Sequence, residues 1–187
     1  MAALILLLLG FTSDAASAFT AAFSRRWGKS RGRWASFLLR NVLGIPVWVV
    51  GLGLAVHSPS PPWFTPSSVT AVLGWLLLLS GATVQVLAIA VLRLQAARPS
   101  VDDELAARGV YGRLRHPIYA GLLLQFWGIA LVKPTQMVLL AIALGCVWVL
   151  IQARLEEVDL LQRMPAYRDY MKQVPRFLPR VGGRTQA

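Results

Sequence analysis

Apolar residues gather in five long blocks separated by polar segments. They run from Ala2 to Phe23, Trp34 to His57, Ser68 to Leu92, Pro117 to Val132 and Thr135 to Gln152. Crossing a hydrocarbon core takes about 20 residues of helix. The pattern therefore predicts an all-α integral membrane protein with about five transmembrane helices. The fourth block is short. Lys133-Pro134 separates it from the fifth, and Pro134 stands where a first helical turn tolerates proline, so the last two spans form a helical hairpin. Beyond it, Leu155, Val158, Leu161 and Met164 make an apolar stripe, which predicts a C-terminal cytoplasmic amphipathic helix lying on the membrane or on the bundle. The chain reads as a single membrane domain, residues 1–187. Three spans (1–92) lead to a cytoplasmic loop (93–116), the hairpin (117–152) and a cytoplasmic C-terminal segment (153–187). Ser58–Pro62 reads as a rigid external loop and Gly182–Ala187 as a frayed tail.

Composition supports the membrane reading. Hydrophobic residues make up 56% of the chain and charged residues 14%, against roughly 25% charged in soluble domains. A net charge of +11 would suit nucleic acid, but its placement points elsewhere. Arg25, Arg26, Lys29, Arg31 and Arg33 follow the first block; Arg93, Arg98, Arg108, Arg113 and Arg115 follow the third; a third basic group, Arg154 to Arg184, follows the fifth. The segment His57–Ser67 has no Lys or Arg, and the hairpin turn has only Lys133. Alternating basic and bare loops set the N-terminus outside and the C-terminus in the cytoplasm, with contact to anionic membrane lipids and no nucleic acid partner. Richness in Ala, Leu and Arg suggests a high-GC bacterium, hence a cell membrane of the bacterial inner-membrane kind. Leu4–Leu9 and Ala16-Ser17-Ala18 also resemble a signal peptide, but no basic n-region precedes them, and the first block is read as a span. The one cysteine, Cys146, excludes a cysteine-cluster metal site. It reads as a small apolar core residue.

Chemistry concentrates in two clusters on the cytoplasmic side. The first is Tyr111-Gly112-Arg113-Leu114-Arg115-His116-Pro117-Ile118-Tyr119-Ala120-Gly121; the second runs from Arg154-Leu155-Glu156-Glu157 through Tyr167 and Tyr170 to Pro175-Arg176-Phe177-Leu178-Pro179. A hairpin between them must bring them together. Pro117 opens a helix whose free N–H groups suit an anion, and Gly121 admits another backbone or a flat ligand. Arg154 and Glu157 are placed to pair three residues apart. Tyr167 and Tyr170 are either interfacial anchors or pocket walls. Arg40 and Asp14 lie inside spans and could pair. Gln85 and Gln125 suit interhelical hydrogen bonds, and Gly74 and Gly81 suit helix packing. Asp102-Asp103-Glu104 is expected to cap a short surface helix ending at Gly109.

Arg115-His116-Pro117-Ile118-Tyr119-Ala120-Gly121 resembles the R-H-P-x-Y-x-G element of the isoprenylcysteine carboxyl methyltransferase and phospholipid methyltransferase superfamily. Arg154-Leu155-Glu156-Glu157 resembles its R-x-E-E partner, and Tyr167, Tyr170 and Pro175–Pro179 resemble its usual ending. The resemblance covers Gly109 to Pro179. It implies S-adenosyl-L-methionine bound near the cytoplasmic surface, with a lipophilic small-molecule or lipid acceptor entering from the bilayer. It implies a cofactor site of Tyr111, Arg115, His116, Pro117, Tyr119, Gly121, Glu156 and Glu157, in which Arg115 supports the turn and one glutamate binds amino or ribose groups. Arg154, Glu157 and Arg176 would form the catalytic set, the arginines holding the acceptor or the cofactor carboxylate. The loop Val101–Arg108 departs from the pattern, and Val110 stands where a glycine often precedes Tyr111-Gly112. Methyl transfer needs positioning more than a nucleophilic triad or a metal set, and neither is visible. Two other readings stay open: an NADPH-dependent membrane reductase of the steroid-reductase type, and a non-catalytic lipid-binding membrane protein.

Overall fold

The computed structural model describes residues 1–179, and the tail Gly182–Ala187 lies outside them. The regular secondary structure of the described residues is helical, apart from one isolated antiparallel bridge between Pro62 and Thr135. In chain order the helices are α1 (Ala2–Ser17), α2 (Thr20–Trp27), α3 (Lys29–Phe37), a π-helical segment (Leu38–Gly44), α4 (Ile45–His57), α5 (Ser68–Leu92), α6 (Leu94–Ala97), a 3-10 turn (Gly109–Gly112), α7 (Pro117–Val132), α8 (Gln136–Arg163) and α9 (Tyr167–Gln173). Ser67 caps α5 reciprocally with Thr70, and Thr135 caps α8 through Val138 N.

Helices α3, π and α4 form one apolar rod, Lys29–His57. Pro46 has no N–H to offer the Val42 carbonyl, and the Ile45 N–H reaches back five residues to Arg40. The wider turn accommodates the proline and carries Arg40 and Asn41. Counting α1 and α2 as one bent span, four helical stretches are long and apolar enough to cross a membrane; three are so on their own. α7, at 16 residues, rises about 24 Å. Large apolar side chains on α4 and α5, among them Val50, Leu54, Trp75, Leu79 and Val86, are exposed, as a lipid-facing surface requires.

Two expectations are corrected here. The first block does not run straight to Phe23: the chain bends by 62° between α1 and α2, and the basic α2 folds back on α3 through Gly28, whose φ is +84°. The fifth block does not end at Gln152. α8 continues to Arg163, stopped by Pro165, and Val158 and Leu161 of the expected stripe are exposed. The shorter α9 follows.

Backbone contacts fix the helix directions. α1 runs antiparallel to α4, with Gly10 against Trp48 and Asp14 against Gly44. α5 and α7 are antiparallel along a glycine seam: a Cβ on Gly121 would stand 2.5 Å from the Gly81 carbonyl oxygen, and one on Gly128 would stand 2.7 Å from that of Gly74. α1 and α8 are parallel, Phe11 stacking on Trp148 at 4.7 Å and the Asp159 carboxylate accepting from Ala21 N at 2.7 Å. The C-termini of α1, α5 and α8 and the N-termini of α4 and α7 therefore meet at one end. The basic loops lie at that end. At the other end Trp63 N donates to the Pro134 carbonyl at 2.7 Å, joining the proline-rich loop to the hairpin turn.

Candidate active site

The polar end encloses a cavity of about 540 Å³, within the range of small-molecule sites. Its membrane-side half is mostly apolar: Ile45, Trp48, Ile89, Leu122 and Trp148, with Gln85 and Gln125. Its outer half is polar: Tyr111, Arg115, Asp103, Arg163, Tyr167 and Tyr170. Asp14, Arg40, His116, Tyr119 and Glu156 lie between them.

Adjacent residues on a helix point about 100° apart, and the two glutamates divide accordingly. Glu156 lines the cavity. Its Oε1 accepts from the Tyr119 hydroxyl at 2.6 Å, from Gln152 Nε2 at 3.3 Å and from the Arg40 guanidinium. Glu157 is buried away from the cavity at 1% exposure. It accepts from Arg176 Nε at 3.0 Å and again from its Nη2, meets His116 Nε2 at 3.2 Å and lies 3.4 Å from Arg115 Nη2. His116 stands between the carboxylates, its Nδ1 3.9 Å from Glu156. The backbone completes the clamp: Arg115 N donates to the Pro175 carbonyl at 2.9 Å and His116 N to that of Arg176 at 3.1 Å. The hydrogen bonds to Glu157 raise the Arg176 pKa and keep its guanidinium charged. Burial pushes the phenols of Tyr111, Tyr167 and Tyr170 well above their ordinary range, so all three stay protonated; that of Tyr170 donates to the Tyr111 carbonyl at 2.6 Å.

The structure brings Tyr111, Arg115, His116, Tyr119 and Glu156 to the cavity and leaves the other predicted residues elsewhere. Tyr167 and Tyr170 are pocket walls. Pro117 is buried outside the lining, and Gly121 is occupied by the α5 backbone. Arg154 is exposed, and the expected pair with Glu157 does not form; Arg154 shares a shallow outer dent with Arg176. Arg176 turns its charge to Glu157, not to the cavity. The short helix expected after Asp102 is also absent. Asp103 instead accepts from Ser100 N at 2.7 Å and pairs with Arg163 at 3.3 Å. Arg163 pairs in turn with Asp159 at 2.7 Å, tying the loop to α8. Of that triad the sequence carries one local sign, the four-residue spacing of Asp159 and Arg163. Asp14 and Arg40 do meet, at 3.5 Å, and Gln85 donates to the Ile118 carbonyl of α7 at 3.3 Å. Three residues of the lining also carry buried polar atoms without partners: Trp148 Nε1, Arg115 Nε and the Tyr167 hydroxyl.

These features define a membrane-type helical bundle with a charged cavity at one end. The chain matches the phospholipid methyltransferase family over residues 69–167, more than half of its length, and belongs to that family. It is 36% identical over 89 residues to a methanethiol S-methyltransferase of Pseudomonas deceptionensis, covering 46% of this chain and 33% of that protein. It is 32% identical over 73 residues to a methanethiol S-methyltransferase of Crocosphaera subtropica, covering 38% of this chain and 28% of that protein. The matches thus span about a third of the length of these relatives. No solved structure matches the chain.

The clamp gives a direct prediction. Glu157→Gln removes the charge that faces Arg115, His116 and Arg176. It is expected to cost about 2–3 kcal/mol, read as a lowered midpoint in thermal unfolding of the detergent-purified protein. An unchanged midpoint would show that the Pro175–Arg176 segment is held by its backbone bonds alone.

Proposed function

We propose that the protein is an S-adenosylmethionine-dependent methyltransferase that methylates a small lipophilic thiol at the cytoplasmic face of a bacterial inner membrane. The observation that carries this reading is the cavity itself, where the two motifs meet around Glu156. The donor set fits the cofactor. Glu156 suits its ammonium or ribose hydroxyls. The partnerless Arg115 Nε, Trp148 Nε1 and Tyr167 hydroxyl suit a carboxylate or the adenine ring nitrogens. The faces of Trp48 and Trp148 suit a cation. S-adenosylmethionine supplies a methyl group on a positively charged sulfur. The chain's own part is to hold both partners, exclude water and align them. Ile45, Ile89 and Leu122 shape the apolar half for the acceptor, and the thiol class follows the activity named for the two relatives. In this reading the chain crosses the membrane five times, α7 included, with the N-terminus outside, and the basic end with its cavity faces the cytoplasm.

Thermal unfolding with S-adenosylhomocysteine tests the reading, with NADPH in parallel. A ligand at a hundredfold excess over its Kd stabilises the folded state by about 2.7 kcal/mol. Stabilisation by S-adenosylhomocysteine alone, lost in Glu156→Gln, is the expected result. Stabilisation by NADPH alone would move the protein to the membrane reductases, and no response to either would leave a non-catalytic role.

A further inference from the structure

A protonated thiol must lose its proton as it is methylated, and the carboxylates that α8 brings to this end of the bundle are largely engaged by arginines. Both oxygens of Glu157 are taken by Arg176, with His116 alongside. The Asp159 oxygens accept from Ala21 N and from Arg163. Glu156 carries three donors on Oε1, the Arg40 guanidinium among them, and its Oε2 has only His116 Nδ1 nearby, at 3.9 Å. Asp14 differs. It is 3% exposed and lines the cavity. Its Oδ1 makes long contacts, 3.3 Å to the Ser17 hydroxyl and 3.5 Å to Arg40, and the Trp48 indole N–H also approaches the carboxylate. The parallel register of α1 and α8 fixes its depth. Gln152 Nε2 donates to the Asp14 carbonyl at 3.3 Å, so Asp14 lies level with residue 152, one turn nearer the membrane interior than Glu156, or about 5.4 Å. That is the boundary between the polar and apolar halves of the cavity.

We propose that Asp14, from the N-terminal helix outside the matched family region, is the catalytic base that takes the proton of the thiol acceptor. The inference rests on the methyltransferase reading of the cavity. The acceptor sulfur's lone pair forms the new carbon–sulfur bond. The bond from the methyl carbon to the sulfonium breaks, its electrons passing to that sulfur to leave a neutral thioether. The S–H proton goes to the Asp14 carboxylate and returns to solvent when product leaves. Arg40 is a positioning residue that keeps the carboxylate ionised between turnovers. The charged and titratable groups around Asp14 are Arg40 from the π segment, Glu156 from α8 and His116 and Tyr119 from α7; the π segment also contributes Gly44, and α4 the uncharged Trp48.

The test begins with S-adenosylhomocysteine binding by the wild type and Asp14→Asn, followed as thermal stabilisation. Both are expected to bind. Failure of the wild type to bind overturns the methyltransferase reading, and this inference with it. With binding retained, Asp14→Asn is expected to lose about 10²–10⁴-fold in turnover of an alkanethiol. It should lose little with an aromatic thiol already ionised at the assay pH. An equal loss for both thiols, or none, overturns the assignment of Asp14. A second measurement needs no variant. Alkanethiols, like the cysteine side chain, ionise above about pH 8. A resident base makes wild-type turnover nearly level between about pH 7 and about pH 8. A rise of about tenfold over that unit would mean that only preformed thiolate reacts, and would overturn the proposal.

Discussion

Replacing Arg40 with alanine is expected to destabilise the protein by about 3–5 kcal/mol and to abolish stabilisation by S-adenosylhomocysteine. Arg40 is the guanidinium between two carboxylates, Asp14 on α1 and Glu156 on α8, and it also donates to the Ser17 hydroxyl at 3.3 Å. Its side chain is 15% exposed, that of Glu156 20% and that of Asp14 4%. Removing the cation leaves two like charges at the cavity wall with little water to solvate them. The comparison that isolates this cause is the pair Arg40→Met and Arg40→Met with Glu156→Gln. Adding the second change should restore part of the lost stability, because removing both partners costs less than orphaning one. Thermal melts in one detergent measure all three variants. A double variant no better than the single would mean that Arg40 acts through the packing of its stem at the π segment, not through charge.

Much of the helical layout was legible because its signals are local. The blocks Ser68–Leu92 and Pro117–Val132 coincide with α5 and α7, each with an N-terminal cap or a leading proline in the sequence. Gly74 and Gly81 could be assigned to packing for the same reason. The bend after Ser17 was not legible, since no proline or glycine marks it. Its cause is tertiary: Thr20 and Ser36 share a hydrogen bond at 2.9 Å, and Ala21 N is drawn to Asp159. The continuation of α8 to Arg163 was in principle legible, because nothing between Gln152 and Met164 breaks a helix. There the apolar stripe splits: Val158 and Leu161 are exposed, Leu155 is half-buried and Met164 is buried, while the buried face of α8 is Gln152, Ala153, Glu157 and Asp159.

The candidate site divides in the same way. That the two motifs meet follows from the hairpin between them. Which glutamate faces inward depends on the rotation of α8 against α7, set by contacts such as Phe126 against Gly145, and the sequence carries no sign of it. Arg154 stands three residues from Glu157, a spacing that allows a pair, but Arg115, His116 and Arg176 approach that carboxylate from the bundle side and satisfy it. The Asp103–Arg163–Asp159 triad joins residues 60 apart along the chain, beyond any local pattern. It explains why the acidic run at Asp102–Glu104 holds the loop to α8 and caps no helix.

Gly121→Leu is expected to have the largest effect of any single change, because a side chain there has no direction in which to go. The α5 backbone occupies the space, with the Gly81 carbonyl oxygen 2.5 Å from a built Cβ and Gln85 Cγ at 2.8 Å. Overpacking in a core commonly costs about 1–3 kcal/mol when side chains can yield; here a backbone must move. On α5 the buried residues are Gly74, Gly81 and Ala88, so a wedge at the middle of the seam separates the helix from α7. The cavity would lose its Gln85, Ile89 and Leu92 wall. The expected outcome is little folded protein and no stabilisation by S-adenosylhomocysteine. Gly53→Leu is the matched control, since a Cβ there meets nothing within 4 Å, and it should behave as wild type. Alanine at Gly121 and at Gly81 separates packing from cofactor contact. Both methyl groups strike the opposing backbone of the same crossing, so a packing role makes the two variants about equally unstable. A direct cofactor contact, as the motif resemblance implied for Gly121, would instead weaken ligand binding in Gly121→Ala alone. Equal loss of stability at both positions is the predicted result, and it would assign this glycine to the α5–α7 seam.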